Sequence, residues 1–493
     1  MNMSMNVRTT FKMRPYVYGG HVGSSLTHIH ARFSMVSSSS SSSSAAAAAR
    51  CRAHRMTSTS MQATSRLEGV TNDFTSDNDG GDFSPYHDED GLGSVLPRRS
   101  LVLRIASIAS ALAAAPLAAQ AAEDRTFFAC WPPFYDPICG IGTRTTVRNE
   151  LVPNKIWDFT QAQTIGPISA TIRSVAVKLN DGSVWLQNPV APTEEFFKLL
   201  DEIGPVKHIV ISTYAIEHKA YAADVHKKYP SAKVYVTPKQ KTVPLDLPLP
   251  LLGIPVDGIL DEGETLVDGT KAPWANELDC AILAYDNKEA GAVPIVEAAF
   301  FHKQSKSLIV TDAVERIQRQ PPTDIVRTDL LLGLAPDIPG GPPAEDTPEN
   351  RLRGWAKMCL LVQFFQPSKS SPSKEGSTFE LEWRDGYLED FDNLAETTFV
   401  APIVRYLVYS KNPSAVIDWV DRITTRYDFE QVIPAHYTAP IPINREEFSR
   451  CFDFLREGKT PPPLPDADTK LLRDGNEFLS KNGQPDLPLA RSA

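Results

Sequence analysis

Short apolar runs recur from Ser174 onward, separated by segments rich in Gly, Pro, Asn and Asp. Ser174-Val-Ala-Val-Lys-Leu179 and Ser183-Val-Trp-Leu-Gln187 flank Asn180-Asp181-Gly182. Asp-Gly favours a tight primed turn, so this pattern predicts a β-hairpin. The chain then leaves the sheet at Asn188-Pro-Val-Ala-Pro192, and Thr193 caps a helix opened by Glu194 and Glu195 and closed by Gly204. Val206–Thr213 reads as a strand, His218–Tyr229 as an amphipathic helix and Ala232–Val236 as another strand. Such strand–helix–strand alternation implies parallel pairing and an α/β layered fold.

Further strands are predicted at Ala281–Tyr285, Val296–His302, Ser307–Thr311 and Asp428–Ile433, and helices at Leu352–Phe365, Val400–Tyr409 and Pro413–Tyr427. Pro321–Pro348 and 367–377 read as loops from their Pro, Gly, Ser and Lys content. Residues 122–150 look like an irregular, aromatic- and Pro-rich arm, 151–456 like the folded domain, and 457–493 like a polar C-terminal tail. No internal repeat is present.

Composition changes the picture chiefly at the N-terminus. The first 67 residues hold eight Lys/Arg, no Asp or Glu, and the run Ser37–Ser44. An acid-free, Arg-bearing, Ser-rich start reads as a plastid transit peptide. An acidic spacer over 68–96 includes Asp88-Glu89-Asp90. Within 97–121, Arg98-Arg99 precede the Ala-rich stretch Ile105–Ala119, and Ala119-Gln120-Ala121 supplies small residues for cleavage. Two signals in series resemble the bipartite targeting of thylakoid-lumen proteins, so the expected location is the chloroplast, in the lumen. The apolar stretch, ~17 residues, is short of the ~20 that a spanning helix needs, so cleavage is expected and no stable transmembrane anchor. The whole chain carries a net charge of −10, with no basic stripe, which argues against nucleic acid as a partner. The partner expected is a small molecule or a lumenal protein. Cys130 and Cys139 flank a Pro-rich loop and are either a disulfide or two thiols.

Candidate chemistry gathers where strands end. Ile211-Ser-Thr-Tyr-Ala-Ile-Glu217-His218, Leu308-Ile-Val-Thr-Asp312 and Val432-Ile-Pro-Ala-His436 each place a metal-ligand side chain just past an apolar run. Plainer roles stay open: His218 can simply begin a helix, Asp312 cap a turn, and His436 pack on Tyr437. His226 lies eight residues beyond His218, ~12 Å along a helix, too far to share one ion. His208 and His302 sit within or at the end of predicted strands and read as structural. No phosphate-binding Gly loop, Gly-x-Ser-x-Gly elbow or His-Glu-x-x-His helix occurs.

Trp157, Thr171-Ile-Arg173, Asp181-Gly-Ser-Val-Trp-Leu186, Pro189-Val-Ala-Pro-Thr193, Gly204-Pro-Val-Lys-His208, Glu217-His218 and Phe301-His302 together resemble a family of cyanobacterial, plant and algal proteins of unknown function, related to the metallo-β-lactamase superfamily. The resemblance implies a four-layer αββα sandwich of metallo-β-lactamase type, here with long loop insertions and a disordered N-terminal region. It also implies that His218, Asp312 and His436 hold one divalent metal, zinc or iron, with Glu217 beside them as a catalytic carboxylate. In metallo-β-lactamase relatives a histidine pair precedes an Asp-His pair at the first of these patches. Here Tyr214 and Ile216 stand where the two histidines fall, and Glu297 lies close to where a further one is expected. Losing two nitrogen donors lowers metal affinity sharply. Two readings follow: a hydrolase with a reduced, mononuclear site, or a binding or assembly protein that has no metal and keeps only the scaffold.

Overall fold

The structure, a computed structural model, describes residues 123–129, 140–165, 168–240, 242, 247–285, 295–337, 342–363, 369–372, 379–383, 385–460 and 469–491. The targeting segments over 1–121 and the pair Cys130 and Cys139 lie outside the described residues.

Strands β1 (Thr126–Ala129) and β2 (Gly140–Thr143) pair as a small antiparallel ladder. The main sheet has seven strands in chain order: β3 (Val147–Val152), β4 (Ile156–Ile165), β5 (Ile168–Lys178), β6 (Val184–Gln187), β7 (Val206–Ile211), β8 (Lys233–Val236) and β9 (Gly258–Ile259). Pairing is antiparallel from β3 to β6 and parallel from β6 to β9. The first two parallel steps run through helices α1 (Glu194–Asp201) and α2 (Ala222–Lys228), and the third passes the 3-10 turn Leu249–Leu252. As the sequence suggests, Thr193 starts α1, its hydroxyl accepting from the Phe196 N–H.

A second sheet orders β10 (Leu278–Tyr285), β11 (Ile295–His302), β12 (Ser307–Ile309) and β15 (Gln431–Ile433), the last pair parallel. Between β12 and β15 the chain forms α3 (Thr328–Leu334), α4 (Pro348–Val362), α5 (Tyr387–Leu394), α6 (Pro402–Leu407) and α7 (Pro413–Arg426), with the ladder β13 (Lys369–Pro372) and β14 (Phe379–Glu382). Helices α8 (Arg445–Arg450) and α9 (Lys470–Lys481) follow.

Alternation along the strands defines the layers. Ile209, Ile211, Val234 and Val236 join one core with α1 and α2, through Phe196, Leu200, Ala222 and Val225. Val210, Tyr235, Val175 and Val177 face the other way and share a core with Cys280, Ala298, Phe300, Ile309 and Ile433 of the second sheet. The remaining face of that sheet, Ala281, Leu283, Ala299, Leu308 and Val432, packs on Trp419, Val420 and Ile423 of α7 and on Phe448 of α8. The order is helices, sheet, sheet, helices: a four-layer αββα sandwich. Each buried aliphatic side chain contributes about 1.5–3 kcal/mol, more than the ~1 kcal/mol of a helix cap, so strand parity sets which face is which.

Several elements depart from the sequence reading. The arm over 122–150 carries β1, β2 and the edge strand β3 rather than being irregular. Pro321–Pro348 holds α3, which packs with α4 in a core of its own; Gly354 permits this, because a Cβ there would collide with the Leu331 backbone. The loop at 367–377 contains β13. The helix expected from His218 begins at Ala222, and His218 sits in a preceding 3-10 turn, Ile216–His218. The polar tail is partly helical and returns to the body: buried Lys411 donates to the Asn476 side chain, to Gln484 O at 2.8 Å and to Asp486 Oδ1 at 2.9 Å. No helix among the described residues is long and apolar enough to cross a membrane.

Candidate metal centre

Ile309 of β12 and Ile433 of β15 are partners in the parallel ladder. Asp312 and His436, each three residues further on, therefore leave the sheet side by side. His218 arrives from the other sheet, in the 3-10 turn that follows β7. At this edge the sheets are tied together: the Ala298 N–H donates to Ser212 O at 2.7 Å, and Thr213 bridges Glu297. Buried polar side chains add to the tie. Gln187 Nε2 donates to Ser212 Oγ at 2.8 Å, Asn188 Nδ2 to Thr311 Oγ1 at 3.2 Å, and the Ser212 and Thr311 hydroxyls are 2.8 Å apart.

The three residues singled out in the sequence come together. One ligand atom from each of His218, Asp312 and His436 lies within 4.8 Å of the others. His218 Nε2 is 3.5 Å from Asp312 Oδ1, and His436 Nε2 is 3.3 Å from the same oxygen. His218 is fully buried, whereas the Asp312 and His436 side chains are 25% and 19% exposed, so the cluster opens to solvent on their side. His436 Nδ1 donates to the Thr171 carbonyl at 2.7 Å, since a carbonyl can only accept, which directs Nε2 at Asp312. Burial works against the charge on Asp312, but the two imidazoles beside it hold its carboxyl far below the usual carboxylate range. Burial likewise opposes the charge on His436, yet its bond to Asp312 and the nearby Glu315 raise it to about 9.

The surrounding candidates fall differently. Glu217 shares the 3-10 turn with His218 and is half-buried, but its carboxylate is not a member of the converging group. Tyr214 stands near both Glu217 and Asp312; burial, reinforced by those carboxylates, pushes its phenol up to about 12. His226 lies on α2, outside the cluster. His208 packs against Trp274 and Tyr235, with ring centroids 5.4 and 5.9 Å away, and His302 Nδ1 meets Ser305 Oγ at 2.7 Å.

Glu297 has a role that the sequence did not disclose. Its Oε1 accepts from the backbone N–H groups of Thr311, Asp312 and Ala313 at 2.9, 3.1 and 3.2 Å, and its Oε2 from the Tyr409 hydroxyl at 3.1 Å. The carboxylate fixes the backbone that carries Asp312 instead of joining the ligands. Burial and the Asp312 charge raise it to about 7 against those bonds. Behind His436, Glu315 is also buried and raised to about 7 by that burial, which the His436 charge opposes.

Whether this set suits a metal can be judged from its own atoms. Both ring nitrogens of His218 are buried without a hydrogen-bond partner, an uncommon and costly condition for a polar group. Two ligand atoms each ~2.05 Å from a tetrahedral ion stand ~3.3 Å apart, close to the two separations found here. One carboxylate oxygen and two imidazole nitrogens form a donor set suited to zinc or ferrous iron. His436, oriented through Nδ1 by a backbone carbonyl, has the arrangement usual for a ligating histidine. The residues fit a single divalent cation.

Comparison with known proteins adds the following. A family model described as Domain of unknown function (DUF4336) matches residues 153–454. No curated protein matches the chain. Among solved structures, a metallo-β-lactamase from Pontibacter korlensis is 12% identical, over 62% of this chain and 99% of its own, with a TM-score of 0.31. DIM-1 metallo-β-lactamase exposed to ceftazidime is 12% identical, over 63% and 97%, with a TM-score of 0.30.

Proposed function

We propose that this chain, which belongs to the DUF4336 family, is a metal-dependent hydrolase with one divalent cation held by His218, Asp312 and His436. The observation that carries the reading is the buried His218 ring, which makes no hydrogen bond at either nitrogen and sets Nε2 3.5 Å from an Asp312 carboxylate oxygen. When bound, a cation there supplies Lewis acidity toward a carbonyl or phosphoryl oxygen and makes a nucleophilic water available at neutral pH. The chain's own residues bind and orient. Asp312 supplies the anionic ligand and His218 and His436 the neutral ones, with the half-buried Tyr214 close enough to feel the Asp312 charge. Cation and proton compete for His436, so uptake weakens as the pH falls.

One observation favours the second reading, a binding or assembly protein without metal. With no cation, Asp312 and His436 neutralise one another as an ion pair, and Tyr214 and Ile216 add no nitrogen donors. Metal analysis of the purified protein decides between the two. Near-stoichiometric zinc or iron that disappears in a folded His218→Ala/Asp312→Ala variant supports the hydrolase. Metal-free, folded wild-type protein overturns it. The reading includes the thylakoid lumen as the place of action, supported by the N-terminal 121 residues alone. Import of a fusion of those residues into isolated chloroplasts tests it: two cleavages and lumenal recovery support it, and stromal or external recovery sinks it.

A further inference from the structure

His436 follows a strand of the four-stranded sheet, yet it is held by the seven-stranded one. Two residues of β5 hold it. Thr171 accepts the His436 Nδ1 proton at its carbonyl, 2.7 Å away, and the Tyr437 N–H at its hydroxyl, also 2.7 Å away. Arg173 reaches across from the same strand. Its Nη1 donates to Pro434 O at 2.7 Å and, more weakly, to His436 O at 3.5 Å, and its Nη2 donates to Tyr437 O at 2.5 Å. Its Nε donates to Asp158 Oδ2 on β4 at 2.7 Å. A planar fork with donors in fixed directions is the group that can serve a carboxylate on one edge and converging carbonyls on the other.

Two features separate this from ordinary packing. First, Arg173 and Asp158 have side chains only 5% and 1% exposed. Buried charges are costly, and an apolar pair would fill the same space at least as well for stability. What an apolar pair cannot supply is donors to three carbonyls of one loop. Secondly, Tyr437 has φ 51°, in the left-handed region that a residue with a bulky side chain seldom enters. The loop is strained and needs an outside hold, and the Arg173 and Thr171 bonds are that hold.

We infer that Arg173, anchored by Asp158, is a positioning residue for His436: it sets the metal affinity of the centre by fixing the backbone from Pro434 to Tyr437. The inference deepens the proposed metal reading and rests on it. Removing partners that orient a ligand usually costs 10–100-fold in metal affinity.

The test uses the full chain and Co²⁺ as the probe, with Arg173→Met/Asp158→Asn, which removes both buried charges and keeps an acceptor for Asn149, and with Arg173→Lys. The folded double variant, checked by near-UV circular dichroism, is expected to bind Co²⁺ 10–100-fold more weakly, and Arg173→Lys to recover part of the loss. A second readout needs no metal. In ¹⁵N-histidine NMR spectra of the metal-free protein, the His436 Nδ1 proton is expected to be protected in wild type and to exchange faster in the variants. A folded double variant with wild-type Co²⁺ affinity and wild-type ring-proton exchange overturns the inference. If the double variant does not fold, Arg173→Lys decides: faster exchange supports the inference and unchanged exchange overturns it. If wild type takes up no Co²⁺, the hydrolase proposal falls, while the ring-proton exchange still judges the role of Arg173.

Discussion

Glu297→Ala is expected to be among the most damaging single changes near the centre, although Glu297 is not in the ligand cluster. The carboxylate is 4% exposed and receives four donors: three consecutive backbone N–H groups and the Tyr409 hydroxyl. Each buried donor left without a partner costs about 1–3 kcal/mol. The full sum is not expected, because the space vacated by the side chain admits water and because removing a buried carboxyl also removes its desolvation cost. A net loss of about 3–5 kcal/mol remains, the range found when one partner of a buried charged network is deleted. Glu297→Gln keeps an acceptor oxygen for the three N–H groups, and its amide can donate to Tyr409, so about 1–2 kcal/mol is expected. Urea unfolding followed by tryptophan fluorescence reads the difference: at ~3 kcal/mol per molar the alanine variant shifts the midpoint by ~1 M or more. Glu297→Ala within 1 kcal/mol of wild type, or Glu297→Gln as harmful as alanine, would refute the anchoring role.

Two further outcomes follow from the same structure. His208 and His302 are both lowered to about 4, in each case chiefly because burial disfavours the imidazolium. The folded chain keeps them neutral while the unfolded chain protonates them below about 6.5, so their contribution is complete above that pH and is lost as the pH falls toward 4. Each adds a slope of up to about 1.4 kcal/mol per pH unit in that window, and replacing His302 with Gln is expected to flatten the profile of stability against pH; an unchanged profile contradicts this. Truncation after Arg456 removes the Gln484 carbonyl and the Asp486 and Asn476 side chains from buried Lys411, whose side chain is 3% exposed. Truncation also opens the Lys411 ammonium to water, so the expected loss in thermal unfolding is that of the buried Leu472 and Ala490 side chains, about 2–4 kcal/mol, and an unchanged midpoint would show that the tail is dispensable.

The hairpin at Ser174–Gln187 and the strands ending near His218, Asp312 and His436 were legible because short-range signals determine them: Asp-Gly at the turn, and apolar runs that stop abruptly. Strand β4 was not. Its sequence Ile-Trp-Asp-Phe-Thr-Gln-Ala-Gln-Thr-Ile carries polar residues that are nonetheless buried, because their partners lie elsewhere in the chain. Asp158 bonds Arg173, and Gln161 bonds Thr146 and the Ala191 backbone. Composition therefore misleads wherever a buried polar group has a distant partner. The site shows the same division. The three ligand candidates stand at strand ends, whereas the groups that orient them act over distances no local pattern records: Arg173 to Pro434, and Glu297 to the turn after β12. In the C-terminal tail, polarity concealed a helix that docks through the buried Leu472 and through Asn476, which accepts from buried Lys411.

The central claim is that His218, Asp312 and His436 hold one metal ion. Anomalous diffraction from crystals of the protein grown with zinc, recorded above and below the zinc edge, addresses it most directly. The expected result is one strong peak within bonding distance of His218 Nε2, Asp312 Oδ1 and His436 Nε2. No peak at that position, with the Asp312–His436 ion pair intact and His218 unligated, would contradict it.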